Sequence, residues 1–110
     1  MTQEEKQLLL KDLSARLPYD VIVVDHYGFV VLFTWKQMKD FEDGYISKPY
    51  LRPMSSMTEE EKEELIKNFW GSHTAKDTFE ELSWYLSKHL DINELIPKGL
   101  AIEAPEGMYD

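Results

Sequence analysis

The chain has 110 residues, which fits one domain around a single core and leaves two independent domains cramped. Apolar residues make up 43% and aromatics 13%, enough for a globular core, so disorder throughout is set aside. A net charge of −9 repels phosphate backbones and argues against direct nucleic-acid binding, and the absence of cysteine excludes disulfides and thiolate metal sites.

The N-terminus reads MTQEEK, acidic where a signal peptide would be basic. No apolar run approaches the ~20 residues that cross a bilayer. A cytoplasmic protein without membrane contact is expected. Thr2 followed by Glu5 has capping-box spacing, and Leu9, Leu10, Leu13 and Leu17 recur at helical intervals until Pro18 forbids continuation, which predicts a helix over 3–16. Val21 to Val24 and Phe29 to Trp35 are rich in β-branched and aromatic side chains around the turn-like Asp25, His26, Tyr27 and Gly28, predicting a β-hairpin. Neither segment alternates cleanly between apolar and polar, so both faces should be partly covered, by helices.

The charged run Gln37 to Gly44 reads as a loop leading to a short third strand near Tyr45 and Ile46. Pro49 and Pro53 then impose an extended connector. Thr58 and Glu61 repeat the capping box, acids fill the first turn, and Leu65, Ile66, Phe69 and Trp70 form one face before Gly71, predicting a helix over 59–70. A third helix over 77–89 starts at Asp77, with Phe79, Leu82, Leu86 and Leu90 toward the core and Trp84 opposite. Asp91 and Glu94 have cap spacing, but Pro97 allows only a short turn before an extended, packed tail from Gly99 to Ala104. The expected fold is therefore α+β, one domain over 1–110, with a small antiparallel sheet packed by three helices.

The segments KPYLRPMSSMTEEEKEE, from Lys48 to Glu64, and LIPKGLAIEAPEGMY, from Leu95 to Tyr109, resemble a family of short uncharacterised proteins of gut Bacteroidales genomes and their mobile elements. Leu8 to Tyr19 is similar more weakly. The resemblance implies a mobile-element setting and no particular activity.

Residues that could carry chemistry are few. A carboxylate can orient an imidazole as a general base, but Asp25 and His26 are adjacent, and adjacent strand residues point to opposite faces. His73 and Asp77 are four apart, with His89 beyond them, yet Asp77 reads better as a helix cap and His73 as a loop residue. No phosphate loop, paired-His motif or calcium-loop spacing occurs, so we expect a non-enzyme with no cofactor and no metal. Glu59, Glu60, Glu61, Glu63 and Glu64 could imitate phosphates, although the helix dipole already favours acids there. Tyr50 and Arg52, stiffened by flanking prolines, are residue types common at binding hot spots, against the plainer reading that Tyr50 packs over the sheet and Arg52 pairs with an acid. Trp84 is the third candidate contact, unless the tail Leu100, Ala101 and Ile102 covers it. The resulting expectation is a small acidic protein-binding or adaptor protein using Tyr50, Arg52 or Trp84. The alternative is an acidic decoy for a nucleic-acid-binding protein.

Overall fold

The computed structural model describes residues 1–69 and 75–109. Helix α1, Gln3–Arg16, begins as its sequence dictates: Thr2 Oγ1 accepts from the Glu5 N–H at 3.1 Å, and the Glu5 carboxylate accepts from the Thr2 N–H at 2.9 Å. Those two bonds satisfy donors that a helix start otherwise leaves free. Leu9 and Leu13 are fully buried, but so are Asp12 and Arg16 on the same face. A single 3-10 turn, Leu17–Tyr19, carries Pro18 and ends the element.

The hairpin forms as predicted, with shorter strands. Strands β1, Ile22–Val24, and β2, Val30–Leu32, pair antiparallel with Val23 opposite Val31. In the turn, Asp25 Oδ1 accepts from the N–H groups of Tyr27 and Phe29, both at 2.9 Å. Trp35 belongs to no strand. It opens helix α2, Trp35–Glu42, where a loop was expected. Thr34 caps that helix, its Oγ1 accepting from the Lys36 N–H and its own N–H donating to Gln37 Oε1 at 2.8 Å. Phe41 and Gln37 are buried, so the charges of this segment occupy only its outer face.

The third strand also lies elsewhere than expected, at β3, Lys48–Leu51, rather than near Tyr45 and Ile46. The predicted extended connector is thus a sheet strand. With β4, Ile102–Glu103, the sheet has the order β2-β1-β3-β4; β3 runs antiparallel to β1 and parallel to β4, so the sheet is mixed rather than wholly antiparallel. Pro49 is buried inside this central strand. Because Val23 turns its backbone groups to β2, Pro49 opposite it makes no bond to β1, and pairing with β4 begins only at Tyr50, so its missing N–H deprives no ladder bond.

Leu9, Leu13, Val21, Val23, Phe33, Phe41, Leu51, Leu95, Leu100 and Ala101 form the core, drawn from α1, the sheet, α2 and the segment before β4. The tail packs as expected, with Leu100 and Ala101 buried, but it is extended only from β4 onward, since Gly99, at φ +74°, lies in a turn closed by the Leu100 N–H donating to the Leu95 oxygen at 2.9 Å. Helix α3, Glu59–Phe69, starts at the Thr58 cap, with Thr58 Oγ1 accepting from the Glu61 N–H at 3.1 Å. Helix α4, Ala75–Ser87, starts and ends two residues earlier than predicted. Its expected core face is corrected: Leu86 and Leu90 are buried, whereas Phe79 is 70% and Leu82 44% exposed. Among the described residues of α4 and the turn after it, those at the C-terminal end, Leu86 and Leu90, are buried, and α3, with no residue buried, packs against α4. Trp70, Gly71 and His73 lie outside the described residues. The fold is α+β.

Candidate functional site

Arg52, just past β3, ties α3 and the segment after α4 to the sheet, and Trp84 ties α4 to α3. The Arg52 guanidinium grips the Glu61 carboxylate with Nη2 to Oε1 at 2.6 Å and Nη1 to Oε2 at 2.9 Å, and donates to the backbone oxygens of Lys88 and Ser56 at 3.2 Å. This bidentate pair holds Glu61 well below the usual carboxylate range, at about 2, against the opposing effect of its burial. One turn along α3, Glu64 accepts from Trp84 Nε1 at 3.0 Å, and Lys88 Nζ lies over the Trp84 ring. Trp84 is half-buried by these neighbours on α3 and α4, while Leu100 and Ala101 belong to the core. Tyr50 is half-buried on the face of β3 opposite Pro49 and Leu51. Arg52 therefore follows the plainer reading and pairs with an acid, and the three candidates are joined to the fold rather than gathered in a site.

Tyr109 ties the sheet at the same place. Continuing the β1–β3 register past Val23 and Pro49 sets Ile22 opposite Tyr50, and the Tyr109 hydroxyl stands between them, accepting from the Ile22 N–H at 2.9 Å and donating to the Tyr50 oxygen at 2.6 Å. Its ring stacks on His89 at 3.7 Å. His89, at φ +60°, is half-buried, and its segment runs parallel to the chain just past β3, the Arg52 N–H donating to the His89 oxygen at 2.8 Å and the Asp91 N–H to the Arg52 oxygen at 2.9 Å. Burial, then the charges of Arg16 and Arg52, lower the His89 pKa to about 4. The neutral imidazole packs against the Tyr109 ring. A cleft of about 540 Å³ nearby is lined by Arg52, Glu61, Glu103 and Tyr109, and its two central charges neutralise each other.

His26 is not oriented by Asp25, whose Oδ1 is taken up by the turn. Instead it stacks on Tyr45 at 4.4 Å and meets Tyr27 at 3.9 Å. These rings form an exposed aromatic tip at one end of β2, with Tyr27 75% and Phe29 66% exposed. At the other end Trp35 is 73% exposed. Between them Val30 and Leu32 are 55% and 51% exposed, which corrects the expectation that both faces of the hairpin would be covered. As β2 is an outer strand, its far edge is unpaired among the described residues. This apolar strip, open along both side chains and backbone, is the most conspicuous unfilled surface described. The missing alternation that suggested burial was the signal: an apolar strand is either covered by its own chain or left open for another.

No protein-family model, curated protein or solved structure matches the chain. Among the described residues no helix is long and apolar enough to cross a membrane.

Proposed function

We propose that the chain is a small acidic cytoplasmic protein-binding or adaptor protein, mobile-element encoded like the family its two quoted segments resemble, and not an enzyme. The observation that carries this reading is the exposure of Val30 and Leu32 on an unpaired outer strand, flanked by Tyr27, Phe29 and Trp35. Such an edge supplies main-chain hydrogen bonds for affinity and alternate side chains for selectivity when an extended partner strand is added to it. Large aromatics at both ends offer the anchor chemistry of interface hot spots. The partner is a protein rather than nucleic acid or membrane. The decoy alternative is less favoured, because two of the acids it needs, Glu61 and Glu64, are bound to Arg52 and to Trp84.

The test is capture from the native host followed by mass spectrometry, with the doubly substituted Val30→Lys, Leu32→Lys chain as comparison. Loss of the captured protein, with an unchanged circular dichroism spectrum, supports the edge. Capture that survives this change but is lost on Trp84→Ala transfers the contact to α3 and α4.

A further inference from the structure

We infer that a second copy of this chain occupies the β2 edge, strand against strand, about a two-fold axis through Val31. This rests on the reading of that edge as a contact surface and adds its occupant. The backbone comes first. The Phe33 N–H donates to the Val21 oxygen and the Asp25 N–H to the Phe29 oxygen, each at 2.9 Å, and Val31 faces Val23 in the same phase. In an antiparallel ladder this turns the polar groups of residues 29, 31 and 33 toward β1 and those of Val30 and Leu32 outward. Two such edges, placed antiparallel with Val31 opposite its own mate, make Val30 and Leu32 hydrogen-bonded partners on both sides of the axis. Every outward group of the strand is then satisfied.

The side chains agree with that register. Phe29, Val30, Val31, Leu32 and Phe33 read almost the same in either direction, so antiparallel self-pairing sets exposed Val30 on exposed Leu32 at both steps and Val31 on its own mate, with exposed Phe29 reaching the end where Phe33 is already buried in the core. A one-residue slip would lose the match. Tyr27, in the turn, and Trp35, at the start of α2, are each four positions from Val31 along the sequence, so the pairing brings the exposed ring at one end of each strand toward the exposed ring at the opposite end of its mate. Isologous contact requires a surface complementary to itself, and this one is.

Charge permits the approach. From His26 to Lys39 there is no carboxylate, although the chain carries −9, so two copies meet here without anion facing anion. Asp25 precedes the strand and Lys36 follows it, and the antiparallel arrangement sets each Asp25 end beside the other copy's Lys36 end. Edge strands of monomers are commonly guarded by lysine, proline or a bulge, and β2 has none of these within its span. The joined sheet would run through both copies, ending at β4 on either side.

Sedimentation equilibrium of the full chain over a dilution series tests this. The wild type is expected to be dimeric when concentrated, to dissociate on dilution, and to dimerise more tightly as salt screens the like net charges. Leu32→Lys should remain monomeric throughout with an unchanged circular dichroism spectrum. Val30→Pro should do the same, since the N–H it removes points outward and the ladder to β1 keeps its bonds. The chain has no cysteine, so single-cysteine probes are unambiguous. Val31→Cys should oxidise to a covalent dimer across the axis, while Val30→Cys, facing Leu32 of the other copy, should not. A wild type that is monomeric at all concentrations, a dimer unaffected by Leu32→Lys and Val30→Pro, or equal cross-linking of both cysteine variants overturns the inference. A monomeric wild type whose captured host protein is lost with Leu32→Lys overturns self-pairing alone and leaves the edge as the contact surface. Loss of the dimer with undiminished capture of a host protein supports self-pairing and overturns the adaptor surface instead.

Discussion

His89 stays neutral in the folded chain at pH values where an unfolded histidine takes a proton. With the folded value at about 4 and the ordinary value at 6.5, the unfolded state binds more protons throughout that interval. Stability is therefore complete above pH 6.5 and falls as the pH drops toward 4. Glu61, held at about 2 by Arg52, acts in the same direction lower down: its contribution is complete above its ordinary 4.5 and is lost as the pH falls toward 2. Urea titrations from pH 7 to 3 should show this decline. His89→Asn, a residue that also tolerates φ +60°, should flatten the portion between 6.5 and 4 and leave the lower portion. Asp12 and Arg16 pair at 2.6 Å with no side-chain exposure, and Arg16 also donates to the Leu90 oxygen at 2.8 Å. Asp12→Ala strands a guanidinium in the core and should cost about 3–5 kcal/mol by denaturant titration. The sequence contains that pair at helical spacing among leucines, but charges on a helix are ordinarily assigned to solvent, and only the segment around Leu90 and Asn93 gives these two an interior partner.

Helix α2 marks the boundary of what local chemistry announces. Thr2 and Thr58 were recognisable as caps because an acid follows three residues later and an apolar stripe after that. Thr34 has the same spacing to Gln37, but it directly follows an apolar, aromatic run, so the strand reading absorbs Trp35 and the charges of 36–43 resemble a loop. Thr34→Ala should cost about 0.5–2 kcal/mol, as should Thr58→Ala. Phe41→Ala should cost about 3–5 kcal/mol, because that ring is buried in the main core. A silent Phe41→Ala would remove α2 from the core. The β3 strand was obscured by Pro49, which is disfavoured inside a sheet; it fits here through the phase of neighbouring strands, a tertiary fact that no local pattern contains.

At the scale of the molecule, the α+β class and the first hairpin were legible because they depend on composition and short-range pattern. Strand order was not. The parallel partner of β3 comes from residues 102–103, and the exposed face of β2 is decided by where α1 and α2 settle, not by β2 itself. Of the candidate anchors Tyr50, Arg52 and Trp84, the last two take intramolecular partners from Glu61 and Glu64 on α3, 9 and 20 positions away, pairings that local pattern does not announce. Phe29 and Trp35 were hidden within a strand read as partly covered, and Tyr27 within its turn. Tyr109→Phe removes the hydroxyl between Ile22 and Tyr50 and leaves backbone groups there without their partner. A loss of about 1–3 kcal/mol in a denaturant titration is expected.

That hydroxyl also bears on time. It joins residues separated by 87 and by 59 positions along the chain, and contacts of such span close late, after nearer ones have reduced the entropy of the intervening loop. Stabilisation that is absent from the folding transition state acts on the unfolding rate alone. In stopped-flow experiments Tyr109→Phe should accordingly unfold faster than the wild type and refold at the same rate. The seam between β1 and β3 works as a latch, governing how long the native state persists and not how quickly it is reached.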